Sequence, residues 1–390
     1  MSFHFFAPTR VLFGNGQLDN LGKQALPGKK ALIIVSNGKS TKENGYLDRL
    51  QRQLRDADTE YALFDEIEPN PLKMTVMRGA EAARRNKCDF LVALGGGSVM
   101  DAAKAIAAMA TNDGDLWDYV GGGTGKGKRL EKTPLPIVAV TTTAGTGSEV
   151  DAWGVISNEE TNEKIGFGGY DSLFPVLAVV DPELMTTVPP KYTAYQGFDA
   201  LFHSTEVYIS KFANLMSDMT ALAAIDAVAN HLADAVRNGN DIAAREKVAF
   251  GNTVSGYSMV AGSCTSEHSL EHAMSAYHHE LPHGAGLIML SKAYYSFFIR
   301  KHVCDDRFIK MARVMGMKDA DQPEDFITAL CELQKNCGVD NLKMSDYGIT
   351  EDELEKIAVN AKETMGGLFA SDRYELSVAD CVSILKEAFR

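Results

Sequence analysis

An α/β domain built on a parallel sheet, followed by an all-α domain, is the architecture this sequence predicts. Three observations point to it. Through residue 188, short apolar strands alternate with amphipathic helices, the pattern of a parallel sheet covered on both faces. Beyond Pro189 and Pro190 the periodicity is helical almost to the C-terminus. Two glycine-rich stretches, 95–98 and 141–149, each follow a strand directly, as loops at the carboxyl edge of such a sheet do. The expected domains are 1–188 and 189–390.

Taken in order, KKALIIVSN (29–37) reads as a buried strand, and a helix carrying Tyr46, Leu47, Leu50 and Leu54 on one side follows it. YALFDEI (61–67) is the next strand, broken by EPNP, and Val76, Ala80 and Ala83 mark the next helix. CDFLVALGGGS (88–98) is a strand that runs straight into the helix VMDAAKAIAAMA. LPIVAVTTT (135–143) and LAVVDPEL (177–184) complete the strands, with a hairpin expected over WGVISNEETNEKIGFGG between them. Each strand run is short and apolar on both faces, which separates it from the longer period of the helices.

Composition narrows the classes. A chain of 390 residues has room for two cores. The formal charge of −13 argues against a nucleic-acid surface, which needs clustered Lys and Arg. No stretch approaches the roughly 18 apolar residues of a membrane span. The six cysteines, Cys88, Cys264, Cys304, Cys331, Cys337 and Cys381, show no paired spacing. Reduced thiols and a cytoplasmic protein are therefore expected.

The two glycine-rich loops suit a phosphate. Gly95, Gly96, Gly97 and Ser98 close a strand and open a helix, where amides lie open and the helix terminus favours an anion. In TTTAGTGSE, Thr142, Thr143, Thr146 and Ser148 add hydroxyls to backbone donors. Asp101 and Lys104, one turn into the helix, would either reach a cofactor or pair with each other. The stretch GGGTGKGKR (121–129) resembles a nucleotide-triphosphate loop, but Arg129 stands where a metal-binding hydroxyl would be needed and no strand precedes it. It reads as a flexible basic loop.

The strongest signal is HSLEHAMSAYHHELPH, 268–283, which holds five of the nine histidines in the chain. A single histidine on an apolar helix face is ordinarily a core residue; five in one short stretch are not explained that way. Asp199 and His203 lie four apart, as do His268 and His272, so each pair shares one helix face. His283 follows Pro282 and can return to the same point from a turn. A carboxylate and several imidazoles converging from separate elements make a site for a divalent transition metal. His278 and His279 read as ordinary polar residues nearby. H-E-L-P-H at 279–283 matches a zinc-protease motif by letters alone, because Pro282 breaks the helix that the motif requires. H-S-L-E-H at 268–272 matches the inverted motif, which leaves a zinc peptidase with Glu271 as base as a rival.

Together these stretches resemble the iron-dependent (group III) alcohol dehydrogenase family. The residues that carry the resemblance are GGGSVMDAAKAIA at 95–107, TTTAGTGSE at 141–149, GFDALFHSTEVYIS at 197–210 and EHSLEHAMSAYHHELPHGAG at 267–286. FxxPTRVLFGNG at 5–16 and DPEL at 181–184 fit as well. The resemblance implies an N-terminal nucleotide-binding domain and a helical metal domain. It implies Fe2+ bound by Asp199, His203, His268 and His283, with Zn2+ able to occupy the same donors. His272 matches a histidine that lies beside the metal without binding it. The spacing from His272 to His283 is one residue longer than is usual in the family, a difference that falls in the turn before His283.

The expected activity is a cytoplasmic NAD(P)-dependent oxidation of a small primary alcohol, or reduction of its aldehyde, by a homo-oligomer, most simply a dimer. His272 is the expected proton relay, with an ordinary pKa of about 6.5. Cofactor choice is read at Gly38, where NAD-preferring relatives carry Asp. Without that carboxylate, and with Ser36, Asn37, Lys39, Ser40 and Lys42 around it, NADPH is expected to be accepted and mildly preferred. The other rivals are a sugar-phosphate lyase of the dehydroquinate synthase type, which uses NAD transiently, and a binding protein with a structural metal.

Overall fold

The structure, a computed structural model, describes residues 2–390. The chain divides into two compact units. One comprises Ala7–Thr161 and Ile165–Thr187; the other comprises Val188–Arg390, Asn162–Lys164 and the N-terminal residues through Phe6. The two short pieces of the second unit come from the first half of the sequence, where neither composition nor periodicity sets them apart.

The first unit is built on a six-stranded sheet. Its strands are β1 (Arg10–Phe13), β2 (Lys30–Ser36), β3 (Glu60–Ile67), β4 (Phe90–Gly95), β5 (Ile137–Thr141) and β8 (Leu177–Val180). They lie in the order β1-β8-β5-β4-β2-β3, and every neighbouring pair is parallel. β6 (Trp153–Asn158) and β7 (Glu163–Gly168) form the separate two-stranded ribbon expected as a hairpin. The helices are α1 (Ser40–Glu43), α2 (Tyr46–Asp56), α3 (Lys73–Arg85) and α4 (Gly97–Thr111). Tyr46, Leu47, Leu50 and Leu54 of α2 pack on Ile33, Val92, Val138 and Val179 of the sheet. β4 is buried along its whole length, which is why its sequence carries no alternation.

The 121–129 loop is held rather than flexible. Lys126 and Lys128 donate to the two carboxylate oxygens of Asp118, at 2.7 and 3.3 Å. The amides of Lys126, Gly127 and Lys128 donate to Trp117, Val120 and Asp118 carbonyls. A basic run therefore closes on a carboxylate just upstream, which letters alone do not show.

The second unit is helical: α5 (Pro190–Ile209), α6 (Leu215–Ala229), α7 (Leu232–Arg237), α8 (Ile242–Ala261), α9 (Ser266–Tyr277), α10 (His283–Arg300), α11 (Asp305–Val314), α12 (Glu324–Asn336), α13 (Leu354–Thr364), α14 (Gly366–Phe369) and α15 (Val378–Ala388). Pro190 occupies the first position of α5, where the missing N–H costs nothing. A buried aromatic column, Phe198–Phe202–Tyr295–Phe326–Phe308, runs from α5 through α10 to α12 and α11 with ring centroids 5.1–6.2 Å apart. It locks α5 and α10, which carry Asp199, His203 and His283, into one rigid block.

Pro282 ends the break after α9, and His283 is the first residue of α10 rather than part of a turn. Two glycines then let α10 enter. A Cβ on Gly284 would stand 2.2 Å from the Tyr195 carbonyl oxygen of α5, and one on Gly286 would stand 2.7 Å from Glu271 Cγ of α9. HGAG is thus a close-approach sequence that brings three helices together at one point.

Candidate metal centre and nucleotide loops

Asp199, one turn before His203 on α5, is buried and carries an oxygen with no hydrogen bond. Three imidazole nitrogens surround that Oδ1 atom, His203 Nδ1, His268 Nε2 and His283 Nε2, each at 3.5 Å. His268 Nε2 likewise lacks a hydrogen-bond partner and is buried. Donors held at about 2.0–2.2 Å around a tetrahedral cation stand roughly 3.4 Å from one another. The spacing fits a shared cation better than it fits hydrogen bonds. Asp199, His268 and His283 form one trio with donor atoms within 4.8 Å of each other. His203 flanks it, its ring stacked on that of His268 at 4.3 Å.

Two buried carboxylates fix the rings. Glu206 Oε1 pairs with His268 Nδ1, and Glu271 Oε2 pairs with His283 Nδ1. Each leaves the opposite nitrogen, Nε2, facing Asp199, the arrangement by which carboxylates orient metal-binding imidazoles. Glu206 Oε2 is itself anchored by the Thr265 amide and hydroxyl at 2.8 and 3.0 Å. Lys164 of β7 donates to Ser275 Oγ at 2.8 Å and lies 3.4 Å from Glu271 Oε2. The sequence carries a signal for Glu206 as well: Asp199, His203 and Glu206 follow i, i+4, i+7 and share a face. Lys164 gave none.

The electrostatics describe a basin prepared for positive charge. Burial pushes the Asp199 carboxyl up, but His203 and His283 outweigh it and hold the group well below the usual carboxylate range. Burial pushes His268 down, yet Glu206 and Asp199 carry it to about 10. His283 is raised by Glu271 against the same burial. A divalent cation bound here would compete with protons for these ring nitrogens.

His272 sits 5.2 Å from His283 and 6.1 Å from His268, ring centre to ring centre. Its Nδ1 has no hydrogen-bond partner. Burial, then Lys164, His283 and His268, push its pKa well below 6.5, so the ordinary value expected from sequence does not hold. These influences favour the neutral imidazole. His278 pairs with Glu353 at 3.2 Å and stands outside the cluster.

In the first unit, the two glycine-rich loops lie against each other. The Thr142 amide donates to the Gly95 carbonyl at 2.9 Å, extending the β4–β5 ladder. A Cβ on Gly96 would stand 2.9 Å from Thr143, and one on Gly97 2.3 Å from Thr146. Gly97 and Ser98 open α4, where amides point out of the helix. The packed loops form the kind of cradle that accepts a pyrophosphate. Asp101 and Ser148 have other partners. Asp101 accepts from Ser148 Oγ at 2.7 Å and from the Val155 amide at 2.9 Å. Lys104 donates to Ser148, Asp151 and the Trp153 carbonyl at 2.6–2.7 Å. This buried network ties α4 to the segment after β5. Lys104 thus pairs with Asp151 rather than with Asp101 on its own helix. Gly38 lies exposed between β2 and α1, with only Ser36 Oγ, at 3.4 Å, near a Cβ added there.

Two family models cover the chain: iron-containing alcohol dehydrogenase over residues 8–182, and the C-terminal part of Fe-containing alcohol dehydrogenases over 193–389. The chain belongs to the iron-containing alcohol dehydrogenase family. It is an oxidoreductase that moves hydride between a nicotinamide cofactor and a small alcohol or aldehyde. A 1,3-propanediol dehydrogenase of Klebsiella pneumoniae is 33% identical over 99% of both chains. An NAD-dependent methanol dehydrogenase of Bacillus methanolicus is 31% identical, again over 99% of each. An archaeal alcohol dehydrogenase from a Red Sea brine pool superposes with a TM-score of 0.94 at 31% identity, over 100% of this chain and 99% of that one. The peptidase, lyase and scaffold rivals fall away. Glu271, the base that a peptidase would need, is engaged by His283 and Lys164.

Glu206→Gln should keep the fold but weaken metal affinity on the order of 10–100-fold, the usual effect of losing an orienting carboxylate. Titration with a competing chelator measures it; unchanged affinity would show that Glu206 does not orient His268.

Proposed function

We propose that the chain interconverts a small, uncharged primary alcohol and its aldehyde, using NAD(P) and an iron(II) held by Asp199, His203, His268 and His283. The observation that carries this reading is the unpartnered Asp199 oxygen with three imidazole nitrogens at 3.5 Å around it. Zinc generally binds such centres more tightly than iron(II), so the resident ion depends on supply. Bound there, the metal supplies Lewis-acid polarisation of the substrate oxygen, and a bound nicotinamide supplies or takes the hydride.

The protein's own part is orientation and proton movement. Glu206 and Glu271 hold His268 and His283 with Nε2 inward. Gly95–Ser98 and Thr143–Thr146 present amides and hydroxyls suited to the cofactor pyrophosphate. His272, neutral and with an unpartnered Nδ1, is suited to pass the proton that the substrate oxygen gains or loses. Lys164 is buried and committed to Ser275 and Glu271, so its charge is not offered to a substrate anion. That favours neutral substrates, as do relatives named for propanediol and methanol.

On cofactor choice, nothing acidic stands at Gly38. Lys42 is partly neutralised by Asp65, while Lys39 and Ser40 are exposed. NADPH should be accepted and mildly preferred, and Gly38→Asp should raise the KM for NADPH relative to NADH. The space around Gly38 admits the new side chain. A wild-type enzyme strongly selective for NADH would contradict this. The function as a whole is tested by a screen of small aldehydes with NADH and NADPH under anaerobic iron supply. The expected result is aldehyde-dependent loss of reduced-cofactor absorbance; turnover with no net loss would point to a lyase that recycles its cofactor.

A further inference from the structure

Cys264 lies in the short segment between α8 and α9, next to the proposed metal site but outside its ligand set. Its thiol, one nitrogen of His203 and one of His268 lie within 4.8 Å of one another. The cysteine is buried. The segment carrying it is fixed on both sides. Ser263 Oγ lies 2.9 Å from Ser371 Oγ; the Thr265 amide and hydroxyl donate to Glu206; the Ser266 amide donates to Asp372 at 3.1 Å. A Cβ on Gly262 would stand 2.7 Å from Val207 on α5, so the segment needs that glycine to approach α5 so closely. The thiol is thus part of a built arrangement, anchored through the same Glu206 that orients His268.

We propose that Cys264 gives this centre a sulfur arm: with His203 and His268 it forms a second, soft coordination position adjoining the trio of Asp199, His268 and His283. His268 belongs to both groups, so a single ion shifts between them rather than two ions binding together. Two imidazoles and a thiolate suit zinc, cobalt(II) or cadmium, whereas iron(II) is served by the carboxylate and imidazole set. On binding, the thiol proton leaves to solvent and the cation takes its place on sulfur. Zinc is then held through an atom that iron does not engage, which separates the two metals by geometry as well as affinity.

This rests on the metal reading above, and the test separates the two. The full-length protein, stripped and reloaded with cobalt(II), should bind one ion per chain and show an intense thiolate-to-cobalt charge-transfer band in the near ultraviolet. Cys264→Ser should keep the cobalt and lose the band. Cobalt bound stoichiometrically to the wild type without the band overturns the sulfur arm and leaves the metal site standing. Failure to bind cobalt at all overturns both. X-ray absorption of the zinc-loaded wild type reads the same ligand without any variant. A sulfur scatterer at about 2.3 Å is expected, and a shell of nitrogen and oxygen alone contradicts the proposal.

Discussion

Replacing Asp199 or His283 with alanine should abolish turnover and leave the purified chain with little metal. Asp199 contributes the oxygen that faces three imidazoles, and it is the negative charge that holds positive charge at this point. Without it, His203, His268 and His283 keep their nitrogens but the centre loses its carboxylate donor and the negative charge facing all three rings, so its hold on a divalent cation falls. His283 acts differently. It is the first residue of α10 and reaches the cluster only because Gly284 and Gly286 admit that helix so closely. Its loss removes a donor and leaves Glu271 without the imidazole it orients. Both variants should remain folded, because the aromatic column behind α5 and α10 is untouched. Metal analysis alongside kcat decides the matter: full occupancy with normal turnover in either variant would remove the site as described.

His272→Gln should separate binding from chemistry. Metal content should stay near normal while kcat falls by ~10²–10⁴-fold, the range for a lost proton-transfer group. His272 points no nitrogen at Asp199 within ion-pair distance, and burial, followed by the charges of Lys164, His283 and His268, pushes its pKa down and favours the neutral form. The sign of its pH effect follows. A histidine whose pKa is pushed down stays neutral through the physiological range and is protonated only in more acidic solution. A limb of the wild-type kcat profile caused by His272 therefore lies on the acid side of the ordinary histidine range, and the variant lacks it. Metal lost together with activity would make His272 a ligand and one of the four assignments wrong.

Much of this was legible in the sequence, because periodic patterns report local geometry. The parallel sheet is visible in the short apolar runs, the change at Pro189–Pro190 in the loss of strand signals, and the histidine cluster in the i, i+4 pairs of two helices. What the sequence hid depends on contacts between distant residues. Lys164 meets Glu271 across 107 positions. Lys104 lies one turn from Asp101 on its own helix, yet it binds Asp151, which a buried loop brings to it. The lowered pKa of His272 comes from burial and neighbouring charge, neither of which can be read from letters. Pro282 signals the end of one helix, and the letters do not show that it also caps the next, with His283 as the first residue of α10.

Anaerobic reconstitution tests most directly whether a metal held by Asp199 and the histidines drives hydride transfer in this chain. The chelated, metal-free protein is titrated with iron(II) while aldehyde-dependent NAD(P)H oxidation is followed. The predicted result is negligible activity without metal and a linear rise that ends at one iron per chain. A metal-free protein that reduces aldehydes as fast as the reloaded one would contradict it.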